Sequence, residues 1–198
     1  MNDGGLIGIF MKNLPVLVVV IPLLLAPILA IITAPRVAWA ASVAGIGSAF
    51  LAAILLQSIT ESVGRVTYHL GNWEPPWGIE FVVDSATSLT LVIMTGLAFL
   101  ATLYARASLL AEIKHTDLGK CYAAWLLASG GLFGLVATGD AFNLFVFLEI
   151  SALSSAILIS MGARTDRRAL SAGFNYLLIG AVGATFYVIG VGFVYAIT

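Results

Sequence analysis

The sequence predicts an all-α integral membrane protein with about six transmembrane helices and a short outer β-hairpin between helices two and three. The first observation is composition: 61% of the 198 residues are hydrophobic and only 10% are charged, whereas a soluble domain carries about 25% charged residues. A soluble fold of this size leaves too much surface in water to hide so much apolar area. The second observation is that the apolar residues collect in six runs, each close to the roughly 20 residues needed to span a bilayer.

The runs are separated by connections of very different length. Thr33–Arg36 and Gly139–Asp140 are tight turns, which predicts antiparallel helix pairs on either side of them. We divide the chain into two parts. Residues 1–120 hold helices one to three with their loops, and residues 121–198 hold helices four to six. The predicted spans are Leu14–Ile32, Val37–Gln57, Phe81–Ala105, Cys121–Thr138, Ala141–Met161 and Leu170–Ile197.

The connection between helices two and three has the pattern of a hairpin. Arg65–Leu70 and Ile79–Val83 are rich in strand-forming residues, and Gly71-Asn72 and Pro75-Pro76 supply turn residues between them. Asp84, with Thr87 three residues later, predicts the N-cap of the third helix.

The distribution of basic residues predicts the orientation. Because successive spans alternate direction, seven of the nine Lys and Arg residues fall on one side of the membrane. The positive-inside rule makes that side cytoplasmic and places both termini outside. We expect the membrane to be the plasma (bacterial or archaeal inner) membrane. The cytoplasmic residues are then Arg36, Arg106, Lys114, Lys120, Arg164, Arg167 and Arg168, and the outer ones are Lys12 and Arg65.

Glu149 is the one charged residue well inside a predicted span. It lies about 13 Å along the fifth helix from Asp140, at a rise of about 1.5 Å per residue. A charge at mid-membrane costs roughly 3 kcal/mol, which the many Leu, Ile, Phe and Val residues of this helix offset at about 0.3–0.6 kcal/mol each. Intramembrane carboxylates usually mark ion paths, so we predict that Glu149 belongs to a proton pathway.

The residues around Glu149 place the fifth helix inside the bundle. Ala152, Ala156 and Ser160 fall within about 60° of Glu149 on a helical wheel and leave room for a neighbouring helix or water. The alternative is a protonated Glu149 that only hydrogen-bonds another helix.

The remaining polar candidates are Asp140 and Asn143. Asp140 either caps helix five or lies at the mouth of a pathway. Asn143 either forms a hydrogen bond between packed helices or acts as a ligand. The single cysteine, Cys121, forms no disulfide within the chain, and the sequence shows no metal-ligand spacing, cofactor motif or catalytic nucleophile. We therefore expect no metal and no cofactor in this chain, and no nucleic acid partner.

Three segments resemble the D subunit of Mrp-type cation/proton antiporters, whose superfamily includes the antiporter-like subunits of respiratory complex I and of membrane-bound hydrogenases. The stretch Gly139-Asp-Ala-Phe-Asn-Leu-Phe-Val-Phe-Leu-Glu149 is the most specific, followed by Asn175-Tyr-Leu-Leu-Ile-Gly180 and Gly190-Val-Gly-Phe-Val-Tyr195. Tyr68-His-Leu-Gly-Asn-Trp73 also resembles the outer hairpin of that family. Asn175 stands where the family usually has a lysine.

The resemblance implies a longer bundle of about fourteen helices that contains two inverted units of about five helices each. In that family the glutamate matching Glu149 pairs with a lysine on the seventh helix, and motion of the pair shifts the lysine pKa. No such lysine lies on the six predicted helices. We therefore expect that these residues alone do not transport, and that another chain or sequence beyond Thr198 supplies the partner.

These observations predict the N-terminal part of an ion-translocating membrane subunit, either of a monovalent cation/proton antiporter or of a complex I-like proton pump. Its expected partners are other membrane subunits of a multisubunit complex, protons, and sodium or potassium. The alternative is a non-conducting structural subunit that anchors a redox or hydrogenase complex. In either case the chain has no catalytic centre of its own, and any enzymatic activity belongs to the complex.

The charge distribution gives a direct test of topology. In a Cys121→Ser background, a membrane-impermeant thiol reagent added from outside is expected to label Asn72→Cys and to leave Thr165→Cys unlabelled. Labelling of position 165 but not of position 72 would reverse the orientation.

Overall fold

The structure is a computed structural model that describes residues 11–73, 77–164 and 166–197. Pro75-Pro76 of the predicted turn, position 165 and the extreme termini lie outside the described residues. Within them, six helices are long and apolar enough to cross a membrane, which confirms the predicted fold class. The elements are α1 (Leu14–Ile31), α2 (Pro35–Val63), β1 (Val66–His69), β2 (Glu80–Val83), α3 (Ser85–Glu112), α4 (Leu118–Ala137), α5 (Ala141–Met161) and α6 (Arg168–Ile197).

The starts of several helices follow from local sequence. Pro15 and Pro35 occupy the first turns of α1 and α2, where a missing N–H costs nothing. The Asp84 side chain accepts a hydrogen bond from the Thr87 N–H at 2.8 Å, which confirms the predicted cap of α3. That hydrogen bond lowers the pKa of the Asp84 carboxyl group.

Two helices are longer than the apolar runs that predicted them. α2 continues to Val63 instead of ending at Gln57, and α3 continues to Glu112 instead of ending at Ala105. Hydropathy reports where the chain leaves the apolar layer, whereas the backbone hydrogen bonds of a helix continue into water. The residue after α2 is Gly64, whose φ of 84° is a conformation that glycine adopts at low cost.

The predicted span Phe81–Ala105 was wrong at its start, because Phe81–Val83 belong to strand β2. β1 and β2 pair antiparallel, with Val66 opposite Val83 and His69 opposite Glu80. In β2 the side chains of Phe81 and Val83 are buried while those of Glu80 and Val82 are partly exposed, the alternation expected of a half-buried strand.

α4 is the central helix of the bundle. It packs against α1, α2, α3 and α5, and two thirds of its most apolar stretch (67%) is buried, more than in any other described span. Its sequence is rich in glycine and alanine, which permit close helix approach in lipid.

Neighbouring glycines of α4 contact different helices. A Cβ atom on Gly130 would lie 2.8 Å from Leu23 Cδ2 of α1, and one on Gly131 would lie 2.9 Å from the Ser151 amide nitrogen of α5. A Cβ on Gly134 would collide with the Phe147 ring of α5. α4 therefore packs closely on α1 and α5 with two different faces, and on the α5 side the backbone of Ser151 leaves no room for a Cβ atom on Gly131.

α6 lies at the margin of the bundle. Its main helical neighbour is α5, and only 6% of its most apolar stretch is buried. The interhelical hydrogen bond from the Tyr187 hydroxyl to the Ala141 carbonyl, at 3.1 Å, holds α6 to the start of α5. Most of α6 is left free to face lipid or another helix.

The close contacts at the glycines of α4 predict that a larger residue there lowers the stability. Gly134→Ala should lower the free energy of unfolding by about 1–3 kcal/mol, the usual cost of overpacking, because the added methyl group meets the Phe147 ring. The measurement is unfolding in mixed micelles followed by circular dichroism.

The matched control is Gly183→Ala in α6, where the added methyl group meets nothing within 4 Å. It should leave the stability unchanged or raise it slightly, because alanine favours the helix more than glycine does. Equal effects of the two substitutions would contradict the close packing of α4 on α5.

Candidate functional site

The predicted site residues Asn143 and Glu149 lie on α5, and Asp140 is the N-cap residue just before it, in the turn from α4. The Asp140 carboxylate accepts a hydrogen bond from the Phe142 N–H at 2.9 Å, so this side chain satisfies one of the free donors of the first turn. Thr138 Oγ1 accepts from the Asn143 amide Nδ2 at 3.0 Å and from the Asp140 N–H at 3.3 Å. Asn143 is buried, and its partner belongs to the turn and not to a distant helix.

The β1–β2 hairpin contacts this turn and holds it in place. The Gly139 N–H donates to the Glu80 carbonyl at 2.9 Å, and Thr138 forms a bridge with Phe81. A Cβ on Gly139 would collide with Val82 of the strand, so glycine is required at this position. The turn therefore extends the two-stranded sheet along the edge of β2.

An aromatic contact also joins strand β2 to helix α5. The rings of Phe81 and Phe147 stack with centroids 6.1 Å apart, and both side chains are buried. Sequence reasoning missed this docking of the hairpin on α5. The two parts are more than fifty residues apart, and only Gly139 in a tight turn hinted at a close backbone approach.

Glu149 lies on the side of α5 that faces α6. A Cβ on Gly173 would lie 3.0 Å from the Ala156 carbonyl oxygen and 3.2 Å from Ser160 Cβ, and one on Gly180 would lie 3.7 Å from Ala152 Cβ. The strip of small residues predicted beside Glu149 is thus the surface on which α6 packs.

The opposite side of α5 packs on α4. Phe147 and Ser151 contact Gly134 and Gly131 and are buried, whereas Glu149 is only partly buried. On a helical wheel Glu149 lies about 160–200° from Phe147 and Ser151. α5 therefore directs its one carboxylate within the span away from the centre of this bundle.

The face of α5 next to Glu149, on the side away from the α6 contact, is not covered by another helix of the described residues. Phe142, Val146 and Leu153 are 59%, 37% and 46% exposed and lie within about 60° of Glu149 around the helix. Among the described residues, no hydrogen bond or ion pair reaches the Glu149 carboxyl group. The carboxyl group lies at the border between the α6 contact and a wide apolar face.

The predicted site residues do not converge on one centre. Asp140 and Glu149 are separated by about 13 Å along α5, and Asn143 lies on the α4 side with Phe147. In the described parts of the chain, no group of three His, Cys, Asp or Glu side chains could hold a metal ion. Glu149 has a carboxyl group that can bind a proton. Its position is set by α5, which is capped by Asp140 and packed on α4.

Two substitutions of Asp140 distinguish its role as a helix cap from a role at the mouth of a pathway. Asp140→Ala removes the cap acceptor and should lower the free energy of unfolding by about 0.5–2 kcal/mol. Asp140→Ser keeps a cap acceptor and removes the charge, so it should retain most of that stability. Unfolding in detergent, followed by circular dichroism, checks both values.

Ion flux in the same variants tests the pathway mouth. If Asp140 acts only as a cap, the assembled complex that carries the serine variant keeps the flux of the unmodified complex. Loss of flux in a stable serine variant would assign Asp140 to the pathway.

No protein-family model matches the sequence. The chain is 37% identical over 189 residues to NADH-quinone oxidoreductase subunit N of Desulforudis audaxviator (strain MP104C), an alignment that covers 94% of this chain and 37% of that protein. It is 33% identical over 193 residues to the D subunit of the Na(+)/H(+) antiporter of Bacillus subtilis (strain 168), covering 95% of this chain and 37% of that protein. The chain thus spans little more than a third of the length of these relatives.

Two solved structures share the fold. A chain of the Mrp complex from Dietzia sp. DQ12-45-1b superposes with a TM-score of 0.84 and 26% identity, covering 96% of this chain and 35% of that one. A chain of the membrane-bound sulfane sulfur reductase, an archaeal respiratory membrane complex, superposes with a TM-score of 0.80 and 26% identity, covering 93% of this chain and 37% of that one.

Proposed function

Because this chain belongs to the superfamily of antiporter-like membrane subunits that includes the D subunit of Mrp-type antiporters, we propose that it forms part of a proton-translocating path with Glu149 as its intramembrane carboxylate. The relatives are ion-translocating membrane subunits, and this chain is a multi-pass membrane protein. In this proposal α4 to α6 begin the conducting core, and the helices before residue 120 support it.

The observation that carries the proposal is the position of Glu149. A carboxylate that served only to join helices would be expected to bond a neighbouring side chain, because an unpaired polar group in lipid is costly. The Glu149 carboxyl group has no such bond to the described residues and borders an apolar face instead. A group placed in this way is available to a basic side chain or to water from outside these six helices.

The open face of α5 and α6 supports a partner of that kind. In the superfamily that the chain resembles, a lysine on a seventh helix pairs with the matching glutamate. We propose that a further helix, from another subunit or from a longer protein, covers the side of Phe142, Val146 and Leu153 and brings a cation to Glu149. A nearby carboxylate raises the pKa of a buried amine and desolvation lowers it, so movement of such a pair loads and releases a proton.

The proposal extends to the cellular setting. The partners are other membrane subunits of an antiporter or respiratory-type complex, and a monovalent cation, sodium or potassium, is the ion exchanged for protons. We place both termini outside because of the Lys and Arg distribution, and we place the protein in the plasma membrane because its relatives are bacterial membrane subunits. Asp140 and Asn143 are assigned to positioning α5, with the pathway mouth as the second role for Asp140.

The test is the removal of the Glu149 charge in the assembled complex. Glu149→Gln should slow proton movement by roughly a factor of 100 or more, the lower range of what a positioned acid–base group contributes. Assembly and folding should be unaffected, because glutamine has the same shape and keeps hydrogen-bonding capacity. Proton flux is measured in inverted vesicles with a pH-sensitive dye while a cation gradient is applied.

The matched control is Glu112→Gln at the exposed end of α3, which removes the same charge outside the bundle. It should leave the flux unchanged. Normal flux in a stably assembled Glu149→Gln complex would instead support the second candidate, a structural subunit in which this residue only joins helices.

A further inference from the structure

A cavity of about 460 Å³ opens at the end of the bundle where α1 ends, α2 begins, α3 ends and α4 begins. The side chains that line it include two arginines and a histidine from three different segments, Arg36, Arg106 and His115, and the apolar side chains Leu110 and Leu118. None of these residues takes part in the path proposed for Glu149.

The Arg106 guanidinium is held in place by an aromatic ring. Its Cζ lies 4.6 Å from the centroid of the Trp39 ring, a distance at which the ring face attracts a cation. The Trp39 indole N–H donates to the Thr102 carbonyl at 3.1 Å, one turn of α3 before Arg106. Thr102 Oγ1 in turn accepts from the Trp125 indole at 2.8 Å, so α2, α3 and α4 meet at this residue. Arg106 is therefore prearranged and does not need to order itself around a ligand.

The two arginines lack anionic partners within the described parts of the chain. The ion pairs found there are His69–Glu80 and Lys120–Asp117, and neither involves Arg36 or Arg106. Both arginine side chains are exposed at the cavity. The site thus offers two unneutralised guanidinium groups, whose geometry suits phosphate oxygens.

The apolar wall indicates which phosphate compound fits. Leu118 and Tyr122 are buried and form the back of the cavity, and Leu110 is 40% exposed at its edge. A free phosphate ion would leave that wall in contact with water, whereas a lipid covers it with acyl chain. Basic pockets between transmembrane helices on the cytoplasmic side are suited to anionic lipid headgroups.

We propose that this cavity binds the phosphate headgroup of an anionic phospholipid from the cytoplasmic leaflet, with Arg36 and Arg106 on the phosphate and the first acyl carbons against Leu110 and Leu118. The lipid would connect the ends of α2 and α3 to the start of α4, the helix that organises the bundle.

The experiment is native mass spectrometry of the protein purified from membranes with whatever subunits it retains. Phosphatidylglycerol, phosphatidylcholine and inorganic phosphate are titrated separately, and the bound fraction is counted. Phosphatidylglycerol should bind at least tenfold more tightly than phosphatidylcholine and than inorganic phosphate. The double variant Arg36→Gln/Arg106→Gln should lose about 25-fold in affinity, since each basic residue near an anionic membrane surface contributes roughly a factor of five.

The control is Arg167→Gln/Arg168→Gln, which removes two exposed basic residues assigned to the same membrane side but outside the cavity. It should change the affinity less than twofold. Circular dichroism melting shows that both variants fold.

Three results would overturn the proposal. Equal losses in the two double variants would mean general attraction to a basic surface. Equal binding of phosphatidylcholine and phosphatidylglycerol would mean an apolar crevice without recognition of charge. Inorganic phosphate that binds as tightly as phosphatidylglycerol would identify an anion site that does not require lipid.

Discussion

The close approach of α4 to its neighbours is the constraint on which the remainder of this bundle depends. Lipid tails are as apolar as leucine, so helices in a membrane gain little from hiding apolar surface and rely on packing contact. Gly130, Gly131 and Gly134 allow that contact on two faces of α4, against α1 and α5. Because α5 is pressed against α4 through Phe147 and Ser151, the rotation of α5 is fixed, and Glu149 is held on the far side.

The β1–β2 hairpin has a similar positioning role where α4 meets α5. Its strand β2 bonds the α4–α5 turn through Gly139 and stacks Phe81 on Phe147. The axial position of α5 is thereby set by a backbone hydrogen bond, and its rotation by aromatic and glycine packing. The role proposed for Glu149 requires a defined distance to a charged partner, since the interaction of two charges falls with distance and rises steeply as the dielectric constant drops. The hairpin and α4 together give Glu149 that defined place.

Several features of the fold and the site were accessible from the residues alone. The six spans, the hairpin strands, the Asp84 cap and the small strip of Ala152, Ala156 and Ser160 were predicted, because apolar runs, strand alternation, caps and helical wheels are local patterns. The helix ends were predicted less well: α2 and α3 extend past their apolar runs, and the span predicted to start at Phe81 begins as a helix only at Ser85. At those places hydropathy measures the depth of the membrane, whereas helix ends are set by backbone hydrogen bonds and by glycine.

The sequence by itself determined that this protein resides in a bilayer, where its spanning helices lie, and that Glu149 is the one carboxylate well inside a predicted span. Each of these depends on the cost of placing single residues in hydrocarbon. Only the tertiary structure decided which way Glu149 faces, which helix the small strip meets, and that Gly139 joins the hairpin to α5. It also gathered Arg36, Arg106 and His115 around one cavity. These are relations between segments distant in the chain, and no local pattern encodes them, since they arise from how closely whole helices can pack.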